Sequence, residues 1–462
     1  MDVAALAQLV PRATVVTEGA ELRAYAGDWS SLSILRGQRG AETPPAAVLR
    51  PSTANDVAAA LRWASDTGTA VVAGGGRSGV SGGVVTHGGE LVLDLRTLNH
   101  VVVLDEVSGI VEVEAGVLGT ELEEWLNQRG FTLGHFPQSV ALSTVGGWIA
   151  ARSAGQLSSG YGAVEDFLVA LTAALPDGSI VSSRVVPRTA AGIQLHQLFL
   201  GSEGTLGVVT SAWLRVRRAA TARRFASLRF DSFADGLEGV RRMSQHRGLP
   251  DAVRVYDETD TTIQFRGFDP VPTGTAAVLV AEDEDESEAQ RRLGRAVELC
   301  GGVPLDHDLA GHWWQHRNDA ATTYQQVLSG ELLGGDVAAD TIEVAAIWAR
   351  VPAVYAAVRA ALSRHAEMVG CHCSHAYETG CALYFTFLLR AGDREAALQQ
   401  AWHDALDAAL ESGGTMTHHH GVGQLKTAWL GREMGGFAPY LGRIQRAFDP
   451  AGVMNPRTLR AT

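Results

Sequence analysis

The chain has 462 residues, 38 Lys+Arg against 51 Asp+Glu, a formal net charge of −13, and a composition that is 46% hydrophobic and 19% charged. That is the balance of a globular protein long enough for two or three domains, and its acidity argues against broad nucleic-acid binding, which needs clustered cations. No apolar run reaches the roughly 20 residues that span a bilayer, and four unevenly spaced cysteines (Cys300, Cys371, Cys373, Cys381) are too few for a disulfide framework.

The N-terminal MDVAALAQLVPRATVV reads as a short helix without the basic start and cleavage site of a signal peptide. A reduced, cytoplasmic protein is the expectation. From residue 46, AAVLRP reads as a strand, with Thr53 or Asn55 capping the helix DVAAALRWASDTG. AVVAGG is a strand that runs straight into a glycine-rich loop. LVLDLR follows, then VVVLDEVSGIVEVEAG as a hairpin and LGTELEEWLNQRG as a helix. VEDFLVALTAALPDGSIV has a strand-turn-strand pattern, and GSEGTLGVVTSAWLRVR closes this part near Arg218. TARRFASLRF opens a second unit, whose AEDEDESEAQRR reads as a solvated helix start. Short-range mixing of strands and helices makes the fold class α+β.

The loop GGGRSGVSGG (Gly74 to Gly83) places glycines where the backbone must approach a ligand, and successive N–H groups there can form an anion nest. Read alone, it is also compatible with an ordinary glycine turn, and it is neither a P-loop nor a Rossmann fingerprint. Two further glycine segments follow: STVGG (Ser143 to Gly147) and GSEGTLG (Gly201 to Gly207). In this order and spacing, the three segments resemble the FAD domain of the vanillyl-alcohol-oxidase and p-cresol-methylhydroxylase superfamily. PQSVALSTVGGWIAARSAGQLSSGYGAVEDF, VPRTAAG, SEGTLGVVT, VRVYDE, ALYFTF and HHHGVG are most similar to the alkylglycerone-phosphate synthases, over about residues 20 to 460.

The resemblance implies a two-subdomain FAD-binding domain over 1–218 (about 20–107 and 108–218). A substrate or cap domain with an antiparallel sheet follows over 219–400, and a segment over 401–462 returns to the flavin. For the cofactor, Gly74, Gly75, Gly76, Arg77, Ser78, Gly79 and Ser81 would hold the pyrophosphate. Pro137, Gln138, Ser139, Ser143, Thr144, Gly146 and Gly147 would line the dinucleotide. Ser153, Gly155 and Tyr161 would follow nearby, and Glu203, Gly204, Thr205, Leu206 and Gly207 would pack along flavin and adenine. Arg77 stands where some relatives carry a tethering His, so noncovalent FAD is expected.

The alternation in VRVYD puts Arg254 opposite Val253 and Val255. From the pattern alone it is either a surface cation or a ligand to an anion; the resemblance makes it catalytic and substrate-binding. Tyr384, in the apolar run CALYFTFLL, is either core packing or, by resemblance, the catalytic Tyr. Arg317 and Asn455 are further substrate-binding candidates. In THHHGVG, an extended segment would point His418 and His420 one way and His419 the other, so that the three could not converge on one metal. A mixed zinc site with CHCSH (Cys371 to His375) is the alternative, but its spacing matches no usual zinc pattern. No metal is expected. His419 is then the acid/base group, with His418 and His420 orienting it or touching substrate.

The synthase resemblance implies a redox-neutral exchange at flavin N5 on an acyl-dihydroxyacetone phosphate. Two positions depart from that pattern: Gln138 replaces an acidic residue, and Ser329 falls where an Arg is expected. The competing reading is an oxidase or dehydrogenase of a hydroxy acid or alcohol, by hydride transfer to N5. Such relatives carry H-x-G-D-G-N and G-E-H-G where this chain has SHAYETG and THHHGVG. A third is a flavin-binding scaffold without catalysis. The partner is a small molecule, lipid-like under the synthase reading and then with peripheral membrane contact; a homodimer is the base-rate expectation.

Overall fold

The computed structural model describes residues 1–460. Its first sheet has four strands in the spatial order Thr14–Val16, Ala47–Arg50, Leu91–Asp94, Val71–Gly74. The last three run parallel. The helix Ala54–Thr67 connects two of these strands. Thr53 caps it in a capping box with Asp56, and Gly68 ends it in the left-handed region. Its Val57, Ala60, Leu61 and Ala64 recur at helical spacing and are buried against the sheet.

The second sheet is antiparallel: Val101–Asp105, Ile110–Glu114, Val208–Arg215, Leu168–Ala174, Ile180–Ser182. The expected hairpin is its first strand pair. Val111, Val113, Ala212 and Leu214 meet Leu122 and Leu126 of the helix Gly119–Asn127 in one apolar cluster.

The third sheet positions the chemistry. Its seven antiparallel strands lie in the order Val303–Pro304, Ala222–Phe230, Thr275–Asp283, Ala252–Tyr256, Met368–Tyr377, Gly380–Arg390, Val337–Ile347. Strand alternation gives it two unlike faces. Val253, Val255, Cys371, Cys373, Phe385 and Phe387 point to one side. There they pack against the helices Phe233–Gln245, Val351–Leu362 and Arg394–Glu411. The other side carries two cross-strand rows, Glu343–Tyr384–His372 and Thr341–Thr386–Gly370, with Arg254 on the neighbouring strand. Among the described residues no helix is long and apolar enough to cross a membrane.

The pairing of Met368–Tyr377 with Gly380–Arg390 slips between Cys373 and Ala376. This bulge sets two residues against one and re-aims a side chain. Strict alternation would send His375 to the apolar side with Cys371 and Cys373. The bulge turns it to the polar side instead, where its Nε2 lies 3.0 Å from the Tyr384 hydroxyl. The tail then returns to the first sheet, where the Val71 N–H donates to the Val453 carbonyl and the Asn455 N–H donates to the Val71 carbonyl, both at 2.8 Å.

Candidate active site

A cavity of about 420 Å³ lies between the glycine segments and the polar face of the seven-stranded sheet. Its first wall is the loop after Val71–Gly74. None of the backbone N–H groups from Gly76 to Ser81 donates to another described residue. A run of free amides suits a diphosphate, so the donor set fits the pyrophosphate of a dinucleotide. The loop is pressed against the second glycine segment: a Cβ on Gly76 would meet the Leu142 carbonyl oxygen at 1.5 Å. Only glycine permits that approach. Arg77 sits at φ 57 and turns its guanidinium back onto the carbonyls of Tyr25 and Gly27. It braces the loop, and burial lowers its pKa to about 10.

The second wall holds a chain of titratable groups. The Tyr384 hydroxyl is 3.0 Å from His375 Nε2 and 3.2 Å from the His419 ring nitrogens. His375 Nδ1 is 2.6 Å from Ser158 Oγ. His419 Nδ1 is 2.9 Å from His418 Nδ1, whose other nitrogen is 2.6 Å from the Tyr377 hydroxyl. Burial pushes the Tyr384 phenol well above its ordinary value, and the Glu343 charge adds to it. Burial, then the neighbouring imidazoles, holds His419 and His375 well below theirs. Tyrosine and histidines are therefore all neutral near pH 7, so the phenol can donate a proton and an imidazole can accept one.

Beside them, Arg254 Nη1 donates to His372 Nε2 at 3.1 Å, and His372 Nδ1 donates to Asp260 at 2.6 Å. The His372 ring stacks on Tyr384, 4.9 Å between centroids and 8° from parallel. With one guanidinium nitrogen engaged, Arg254 keeps its Nε–Nη2 edge without a partner among the described residues, and its Nε is buried. A guanidinium nitrogen left without a partner can donate to a carboxylate or phosphate.

The histidine loop is held by two carboxylates. Glu343, fully buried, accepts from the backbone N–H of His418, His419 and His420 and from the Thr417 hydroxyl at 2.6 Å. The only lysine, Lys426, lies 3.5 Å from it, also fully buried. Burial pushes the Glu343 carboxyl up, but Lys426 and then the imidazoles outweigh it and hold it well below the usual carboxylate range. Glu203 accepts from the amides of Val422 and Gly423 at 2.7 and 2.8 Å. A Cβ on Gly423 would meet the Ser81 carbonyl oxygen at 1.9 Å, so the histidine loop rests directly on the first glycine loop.

Most of the residues expected to bind cofactor line this cavity, as do Arg254, Tyr384, His419 and His420. Several do not. Gly74 ends its strand behind the loop, and Thr205 bonds back to Ser202. Gly155 packs on Phe136, and Tyr161 reaches Glu282 under Gly134. Arg317 was expected at the substrate. Its guanidinium instead stacks on Trp314 at 3.8 Å and bonds that residue's carbonyl, while its own carbonyl accepts from Gln138 and Gln156. Asn455 is a latch: its amide donates at 2.8 Å to Gly83 and to Glu203. Ser329 is exposed at a helix end, away from the cavity.

Two expectations about the histidines are corrected. The segment is bent rather than extended, so His418 and His419 come together. With His375 they bring ring nitrogens within 4.8 Å of one another. Each of those nitrogens already has a hydroxyl or imidazole partner. The mixed cysteine set is excluded by alternation, since Cys371 and Cys373 lie in the apolar core. His375, His372, Asp260 and Glu343 did not emerge from the sequence. The CHCSH segment was the available signal, but it was weighed only as a metal motif.

The buried ion pair gives a direct prediction. Glu343→Gln leaves the Lys426 ammonium without a counter-charge and costs ~3–5 kcal/mol in a denaturant titration, most of it recovered by adding Lys426→Met. A loss below ~1 kcal/mol would show that the pair does not hold the loop.

Comparison with known proteins agrees with this architecture. Residues 45–184 match the FAD binding domain family, and residues 219–459 match the family of FAD linked oxidases, C-terminal domain. The alkyldihydroxyacetonephosphate synthase of Trypanosoma brucei brucei is 29% identical over 453 residues, 90% of this chain and 73% of that protein. An uncharacterised FAD-linked oxidoreductase of Escherichia coli K12, YgcU, is 28% identical over 438 residues, covering 90% and 89%. A solved alkyldihydroxyacetonephosphate synthase superposes with a TM-score of 0.80 at 21% identity, covering 96% of this chain and 83% of that one. The chain is an FAD-dependent enzyme and belongs to the FAD-linked oxidases.

Proposed function

We propose that this enzyme oxidises a hydroxyl-bearing carbon next to an anionic group. One observation carries the reading: the Tyr384 hydroxyl lies between two neutral imidazoles in a cavity also lined by Arg254, whose Nη2 has no partner among the described residues. Arg254 would hold the carboxylate or phosphate through Nη2, steadied through His372 and Asp260. Tyr384 would take the substrate hydroxyl proton as its own proton moves to His419 or His375. The substrate carbon loses a hydride, the hydroxyl loses a proton, and a carbonyl forms. FAD bound along the glycine segments, noncovalently as Arg77 suggests, supplies the two-electron acceptor.

A second reading is redox-neutral exchange of the synthase kind. It is favoured by the match of Arg254, Tyr384 and the histidine loop to the pattern of the synthases. The same proton groups serve it. Anaerobic mixing separates the two. Lasting loss of the visible flavin band on adding a small 2-hydroxy acid, with return on aeration, supports oxidation. A band that stays oxidised while label exchanges between a fatty alcohol and an ether product supports exchange.

Positioned general acid-base groups contribute roughly 10²- to 10⁴-fold. Tyr384→Phe and His419→Ala therefore lower kcat by at least ~100-fold while the purified protein stays yellow. Loss of bound flavin from either variant would place these residues in cofactor binding instead. The pH profile has a definite sign. The lowered His419 is the acceptor when neutral, so kcat/KM stays flat as pH falls through ~6.5, the unperturbed imidazole value, and declines only below it. An acid limb at or above that value would contradict this assignment.

A further inference from the structure

The polar face of the seven-stranded sheet extends past the reacting groups. Two residues beyond Tyr384 on the same strand and face is Thr386, and directly across from it is Thr341; their hydroxyl oxygens are 3.4 Å apart. Successive same-face residues stand roughly 6.5–7 Å apart along a strand. The backbone of the threonine pair therefore stands from that of Tyr384 by about the length of five carbon–carbon bonds of an extended chain. The third member of that row is Gly370, where a Cβ would meet the Asp260 Cβ at 2.9 Å. Asp260 and, one helical turn on, Gln264 occupy the space above it. Gln264 gives its amide N–H to Asp260 at 3.4 Å, and its side-chain carbonyl has no partner among the described residues. Tyr324 closes this end, held by Asp340, whose oxygens are already taken up by protein donors.

The chemistry of this wall is one-sided. Every described residue beyond position 218 that lines the cavity is polar. The aliphatic lining (Val80, Val84, Leu95, Leu142, Val208, Val209) all comes from the part of the chain that carries the glycine segments. A hydrocarbon chain laid from Arg254 across this face would cover hydroxyl and amide groups that then lose their water partners. A chain of hydroxyls would replace that water bond for bond.

We infer that the substrate is a compact, polyhydroxylated anion of the sugar-acid or sugar-phosphate kind, with its anionic end on Arg254 and its further hydroxyls on Thr341, Thr386 and Gln264. This rests on the hydroxy-anion reading above and narrows it. It also sets the enzyme apart from any that must seat an acyl or alkyl chain on this sheet.

The test uses the FAD-loaded enzyme and perturbation of its flavin spectrum by four probes: D-gluconate, D-ribose 5-phosphate, propionate and decanoate. At least one polyol anion binds ten or more times tighter than propionate, and which one does so distinguishes carboxylate from phosphate. Decanoate binds no tighter than propionate. The double variant T341V/T386V brings the ratio of polyol-anion to propionate affinity close to one, whereas T341S/T386S, which keeps both hydroxyls, preserves it. Decanoate outcompeting the polyol anions overturns the inference, as does a ratio that survives T341V/T386V. If Arg254→Met leaves the affinity of every anion unchanged, the hydroxy-anion reading itself falls, and the inference with it.

Discussion

A single buried carboxylate organises the reacting groups. Glu343 has no exposed surface, yet it stays ionised because three consecutive amides, a hydroxyl and the chain's only lysine converge on it. Removing two charges from water is costly, and the cost is met only when the remaining bonding capacity is satisfied. The amides of His418, His419 and His420 satisfy it here, and in doing so they bend the loop. Glu343 is also the cross-strand partner of Tyr384. The residue that bends the histidine loop is thus the residue that fixes its distance from the tyrosine.

The seven-stranded sheet makes this affordable by keeping its two faces chemically distinct. One face carries Val253, Val255, Phe385 and Phe387 into a helix-covered core. The other carries Arg254, His372, Tyr384 and Thr386 into the cavity. Burial acts in opposite directions on the two proton carriers, raising the phenol and lowering the imidazoles. Both stay neutral, and their proton is exchangeable. Glu203 and Gly423 then tie the histidine loop to the glycine loop, so the proton carriers and the free amides of the cofactor wall share one frame.

Much of this was legible in the sequence because it is written in local pattern. The glycine segments marked the cofactor wall through the family resemblance of their order and spacing, since the first loop alone fitted an ordinary turn. Period-two alternation put Arg254 opposite Val253 and Val255. What escaped depends on non-local geometry. His375 is misplaced by alternation, since a bulge after Cys373 reverses its direction. The three histidines were read as extended, and no local signal announces that a carboxylate 75 residues upstream curls them. Glu343 itself lies in ADTIEVAAIW with a second acidic residue, Asp340, and nothing local marks which of the two meets the histidine loop. Arg317 and Asn455 looked like substrate ligands because a polar residue's partner is invisible until the chain folds; one is used by Trp314 and the other by two backbone carbonyls.

Proton transfer through Tyr384 is the central claim, and the solvent isotope effect on a single anaerobic turnover tests it most directly. In the native enzyme the rate of substrate oxidation falls in deuterated water. In Tyr384→Phe the rate drops by at least ~100-fold and the isotope effect changes with it. A native rate indifferent to deuterated water, joined to a Tyr384→Phe variant that reacts as fast as the native enzyme, would contradict it.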